Sequence, residues 1–89
     1  MSGERVVTIT REQGLHARPA LELVKAVKES GLEVTIGGAN TVAVNAASLL
    51  AVMSQGFPQG AEVVLTATGE GSDALLDRAA EILGGATGS

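Results

Sequence analysis

Eighty-nine residues without a cysteine are expected to make one small domain, residues 1–89, that relies on aliphatic packing, because neither disulfides nor thiolate metal sites can support it. Hydrophobic residues make up 45% of the chain, yet only one residue is aromatic and the net charge is −4. With no stacking platforms and no basic excess, a general nucleic-acid binder is excluded. The charge is uneven: Arg5, Arg11, Arg18, Lys25 and Lys28 face only Glu4, Glu12 and Glu22 in the first 28 positions, while Arg78 alone faces seven acids in the rest. That asymmetry predicts a locally basic face for an acidic partner or an anionic group. No stretch approaches membrane-spanning length and the first residues lack the apolar run of a signal peptide, so a cytoplasmic protein without membrane insertion is expected.

Val6-Val7-Thr8-Ile9-Thr10 is β-branched throughout and predicts a strand, with Gly14 closing the turn that follows. From Ala17 to about Glu29, the residues Ala17, Ala20, Leu21, Val24 and Val27 fall at helical spacing and predict one buried stripe. Pro19 fits such a helix only in its first turn, which sets the helix start close to His16, and Ser30-Gly31 ends it. Leu32, Val34 and Ile36 alternate with polar residues as a second strand. Gly37-Gly38-Ala39-Asn40 reads as a turn, and Val42 and Val44 as the returning strand of a hairpin.

A short helix is expected from about Ser48 to Gln55, with Ser48 or Asn45 as its cap and Gly56 as its stop. Phe57-Pro58-Gln59-Gly60 has turn chemistry, and Glu62 to Thr68 alternates again with Val63, Leu65 and Ala67 on one side. Ser72 or Asp73 can cap a last helix whose Leu75, Leu76, Ala79, Ile82 and Leu83 form an apolar face. Gly84-Gly85 would end that helix, leaving residues 86–89 as a loose tail. The order is βαββαβα. A four-stranded antiparallel sheet covered on one face by three helices buries every stripe, an open-faced two-layer α+β sandwich with Thr and Glu positions on its other face.

The only histidine, His16, stands in Gly14-Leu15-His16-Ala17-Arg18-Pro19-Ala20. The first N–H groups of a helix lack intrahelical acceptors and carry partial positive charge, so the backbone of Ala17 and Arg18 is a place for phosphate oxygens. A neutral imidazole has a lone pair that can attack phosphorus, and the Arg18 guanidinium adds a permanent charge in a planar donor fork. Phosphoryl transfer asks mainly for such positioning and charge. A P-loop, a glycine-rich nucleotide loop and a metal-binding carboxylate cluster are all missing from the sequence. A carrier is therefore expected, without cofactor or metal and not itself an enzyme. By spacing alone, His16 could equally be a capping or surface residue.

The seven-residue motif resembles the active-site signature of the HPr family, the histidine-containing phosphocarriers of the bacterial sugar phosphotransferase system. The resemblance continues through Val44-Asn45-Ala46-Ala47-Ser48-Leu49-Leu50-Ala51-Val52-Met53-Ser54-Gln55-Gly56 and Gly60-Ala61-Glu62-Val63, and so covers essentially the whole chain. It implies that His16 accepts a phosphoryl group, through Nδ1, from enzyme I charged by phosphoenolpyruvate, and passes it to the IIA domains of sugar permeases. Arg18 corresponds to the arginine that steadies the phosphate, and a monomer is implied.

The resemblance also makes Ser48 a candidate regulatory site, with an HPr kinase/phosphorylase as partner, although Ala47 stands where many regulated members have lysine. The docking surface it implies takes in Ala17, Ala20, Lys25, Lys28, Leu49, Leu50 and Met53. Leu49 and Leu50 cannot both face the sheet, so one of them is expected to stay exposed. Arg18 and Lys25, seven residues apart, share a line on their helix with Lys28 beside it, where they could steer an acidic partner. Many relatives have a basic residue in place of Ala51, so docking here is expected to lean on apolar contact. Two other readings stand beside the carrier: an interaction protein regulated through Ser48, and a small-molecule-binding α+β module.

Overall fold

The computed structural model describes residues 2–10, 17–38 and 41–84. Its elements run β1 (Ser2–Thr8), α1 (Ala17–Ser30), β2 (Glu33–Gly38), β3 (Val44–Asn45), α2 (Leu49–Ser54), β4 (Glu62–Thr68) and α3 (Ser72–Gly84). The strands form one antiparallel sheet in the order β1-β4-β2-β3. In β4, which lies between β1 and β2, the side chains alternate as expected. Val63, Leu65 and Ala67 are fully buried under the helices, while Glu62 and Thr68 are exposed. Three helices on one face of a four-stranded antiparallel sheet make the open-faced α+β sandwich.

Strand β1 starts four residues earlier than its β-branched run. It pairs with β4 over its whole length, from Ser2↔Thr68 to Thr8↔Glu62, so a complete partner strand overrides the poor strand preference of Gly3 and Glu4. Helix α1 keeps its expected span but is rotated. Ala17 and Leu21 are exposed, while Pro19, Ala20, Leu23, Val24, Ala26 and Val27 are buried. The helix packs against α3 on one side and α2 on the other, which widens its buried arc beyond a single stripe. Its end is stitched by Ser30, whose Oγ donates to the Val27 carbonyl at 2.6 Å and accepts from the Leu32 amide at 3.1 Å.

The β2–β3 hairpin exists, but β3 has only two residues, paired Thr35↔Asn45 and Ile36↔Val44. Val42 does not join it and is 85% exposed. Just before the short strand Ala43 crosses close over Gly37, where a Cβ would stand 2.9 Å from the Ala43 Cα. Of the predicted turn, Gly37 and Gly38 belong to β2, whereas Ala39 and Asn40 lie outside the described residues. Ser48 caps α2 as expected, its hydroxyl accepting from the Ala51 amide at 3.2 Å. Asn45 plays a different part, its Oδ1 accepting from the Ala47 amide at 2.9 Å.

The turn after α2 is displaced by one residue from Phe57–Gly60. The Ala61 amide donates to the Pro58 carbonyl at 3.1 Å, with Gly60 third in the turn at φ +88, a conformation that L side chains disfavour. Phe57 belongs instead to the core. Neither Ser72 nor Asp73 is the cap of α3. The Leu75 amide bonds to the Gly71 carbonyl at 3.1 Å, which makes Gly71 the cap and sinks Ser72 into the buried face. Leu75, Leu76, Ala79, Ile82 and Leu83 are all buried, as their spacing predicts. Gly84 is the last helical residue, and Gly85 with the expected tail lies outside the described residues. Truncating a core side chain such as Leu76, 1% exposed, costs about 2–5 kcal/mol.

Candidate functional site

His16 lies outside the described residues, as do Gly14 and Leu15. What is described is the frame on either side. Helix α1 begins at Ala17, the residue bonded to His16, and its 14 residues carry no acidic side chain in the first turn. The positive end of the helix dipole is therefore uncompensated from within the helix. Pro19 has no N–H, so Ala17 and Arg18 supply the first free amides, and both residues are exposed. Pro19 and Ala20 are buried immediately behind them and fix the helix start against the core. The Arg18 side chain thus stands in solvent beside an electropositive helix end, an arrangement able to hold a doubly charged phosphoryl group.

The other end of the frame is Thr10. The Ile9 amide donates to the Ala61 carbonyl at 2.9 Å, and the Gly60 amide to the Ile9 carbonyl at 2.7 Å. The Thr10 amide donates to the Leu83 carbonyl at 3.3 Å, and the Gln59 side-chain amide to the Thr10 carbonyl at 3.3 Å. Sequence reasoning did not single out Gln59. Its partner is 49 residues away, and no periodicity or spacing signals such a contact.

The expected docking residues divide. Lys25 and Lys28 are exposed, and among the described residues the ion pairs, Arg5–Asp77 at 2.8 Å and Arg78–Glu29 at 3.6 Å, use neither. Their charge is thus free to act outward. Ala20 is a correction: it is 0% exposed, because the rotated α1 turns it into the core, and it touches no partner. Leu21, assigned to the core by its spacing, takes the surface position instead. On α2 only Val52 is buried. Leu50 is 83% exposed, and Leu49 and Met53 are partly so, hence both leucines reach solvent where one was expected to. Because α1 and α2 are in contact, Leu21 and the α2 side chains lie on adjoining helices and leave apolar area uncovered. Ser48, half-buried, spends its hydroxyl on the α2 cap.

The groove lined by Ala26, Glu29, Ser30, Glu70, Gly71 and Arg78 lies at the C-terminal end of α1, the opposite end from Arg18. Among the described residues, no helix is long and apolar enough to cross a membrane.

Comparison with known proteins gives a consistent match. The family model described as the PTS HPr component phosphorylation site matches residues 3–84. The chain is 45% identical over 80 residues to the phosphocarrier protein HPr of Streptomyces coelicolor, covering 90% of this chain and 86% of that protein. It is 41% identical over 81 residues to the HPr of Haloferax volcanii, covering 90% and 91%. Among solved structures, an HPr from Thermoanaerobacter tengcongensis superposes with a TM-score of 0.83 at 30% identity, covering 91% of this chain and 90% of that one.

Proposed function

The chain belongs to the HPr family of the phosphotransferase system, and from that membership we propose that it is a phosphocarrier with His16 as its phosphoryl acceptor. In this reading His16 takes a phosphoryl group from enzyme I charged by phosphoenolpyruvate and hands it to IIA domains of sugar permeases. The chain is then a protein substrate of a relay in one cytoplasmic domain, with no turnover of its own. The observation that carries the reading is the start of α1. The residue bonded to His16 opens a 14-residue helix with free amides on Ala17 and Arg18, no acid in the first turn and an exposed guanidinium.

The chemistry follows from those groups. An imidazole nitrogen attacks phosphorus, the bond between phosphorus and the donor enzyme breaks with its electron pair left on the donor, and the phosphoryl group moves with its charge spread over its peripheral oxygens. The helix amides and Arg18 stabilise that charge without reorganising. Docking uses the exposed Leu21, Leu49, Leu50 and Met53, with Ala17 beside the reacting atoms and Lys25 and Lys28 steering the approach. The test is incubation of the purified protein with enzyme I and labelled phosphoenolpyruvate. One acid-labile phosphate per chain is expected, absent in His16→Ala. Failure of the wild type to take up label would sink the proposal. Labelling of Ser48 by a kinase with ATP, His16 remaining silent, would favour the regulatory reading instead.

A further inference from the structure

We infer that this chain self-associates head to tail, the outer stripe of α1 in one copy docking on the open sheet face of the next. The contact does not depend on the reading of His16 as the acceptor. The sheet face left bare by the helices is acidic with an apolar centre. The strand register sets Val6, Val64 and Gly37 side by side in one row across β1, β4 and β2. Val6 is 58% exposed and Val64 partly so, while Gly37 adds no side chain. Glu62 lies in the row on one side of this apolar row and Glu4 in the row on the other, with Glu33 one row beyond Glu4. All three carboxylates are exposed, and neither Arg5–Asp77 nor Arg78–Glu29 engages them. Arg5 belongs to the other face, where it pairs with Asp77 of α3. Among the described residues, the open face therefore carries no cation.

Helix α1 carries the complement. Arg18, Leu21, Lys25 and Lys28 follow the i, i+3, i+7, i+10 line of one helix face, and all four are exposed. An apolar residue thus stands between cations, as the valines stand between carboxylates. Of the acids beside this stripe, Glu29 is held by Arg78 at 3.6 Å, and Glu22 is left against three cations. The spacings also agree. Arg18 and Lys25 are about 10 Å apart along the helix axis, and the rows of Glu62 and Glu4 about 13 Å apart along the strand. Complementary surfaces on opposite sides of one chain make a heterologous contact, in which each copy can both offer and receive. So small a contact is weak, and salt screens it. Because it covers the outer face of α1, it excludes any partner that docks on that helix.

The experiment uses two neutralised variants of the full chain. Lys25→Gln with Lys28→Gln removes charge from the helix and keeps the sheet face, and Glu4→Gln with Glu62→Gln does the reverse. At low salt, the wild-type amide resonances of Val6, Val64 and α1 are expected to shift with protein concentration, and to stop shifting at high salt. Each variant alone is expected to associate about fivefold more weakly, the loss of two exposed ion pairs. Mixing them restores one complementary pair. Adding the unlabelled glutamate variant to the isotopically labelled lysine variant is therefore expected to shift Val6 and Val64 but not α1. Wild-type spectra that ignore concentration, undiminished association of either variant alone, or a mixture without shifts would each overturn the inference. Shifts confined to Leu50 and Met53 would overturn it as well, since two α2 surfaces would then be meeting.

Discussion

The Ser48 hydroxyl accepts a hydrogen bond from the Ala51 amide at 3.2 Å and so caps a helix of only six residues. A helix this short has little stability of its own, and the cap is a large part of what orders it. Ser48→Ala is expected to cost about 1 kcal/mol, seen as a melting temperature about 5 °C lower. Ser48→Asp, an equally good cap, is expected to keep the stability. It adds a negative charge at the end of the α2 surface, so its KM for enzyme I is expected to rise. The pair separates the structural role of this residue from any regulatory one.

Where Ala43 crosses Gly37, a Cβ on the glycine would meet the Ala43 Cα at 2.9 Å and its Cβ at 3.2 Å. The obstacle is largely backbone, which cannot swing aside as a side chain does. Gly37→Ala is expected to destabilise the fold by about 2 kcal/mol in denaturant titration. Amide exchange at Val44 and Asn45, the short strand displaced by the clash, should quicken most.

Arg18 is exposed at the start of α1, so replacing it should leave the melting temperature within a degree or two. Arg18→Gln removes the charge and is expected to slow phosphoryl uptake about tenfold or more, the value of a charge-assisted hydrogen bond. Arg18→Lys keeps the charge but loses the planar fork, and is expected to fall between the two. Rapid-quench kinetics with enzyme I measure all three.

Leu50 is 83% exposed, so Leu50→Ala removes almost nothing from the folded chain. If the α2 surface docks enzyme I, KM should rise about fivefold with kcat retained, since binding area alone is lost. Lys25→Gln combined with Lys28→Gln is expected to act differently, lowering the association rate at low salt and flattening its dependence on ionic strength.

The architecture was legible where burial follows from a period. The alternation of Val63, Leu65 and Ala67 and the spacing of Leu75, Leu76, Ala79, Ile82 and Leu83 placed β4 and α3 within a residue of their bounds. Misreadings arose where a partner decides. The sequence of α1 permits either Leu21 or Leu23 on its inner face, and contact with both α2 and α3 chooses Leu23. That rotation also moved Ala20 from the docking surface to the core. Strand β1 begins at Ser2 because β4 is there to pair with it, which no local propensity records. At the candidate site, the start of the helix was readable from Pro19, while the Gln59–Thr10 contact joins residues 49 apart and appears only once the chain has folded.

Phe57, 6% exposed, is the single aromatic residue of a chain without tyrosine or tryptophan. It directly precedes the Pro58–Ala61 turn that carries Gln59. Every aromatic ring resonance outside the histidine, and the whole near-ultraviolet dichroism of the folded chain, therefore comes from one side chain at the base of that turn. The protein holds a built-in reporter, and a change in the packing beneath the Pro58–Ala61 turn can be followed through that ring without a label.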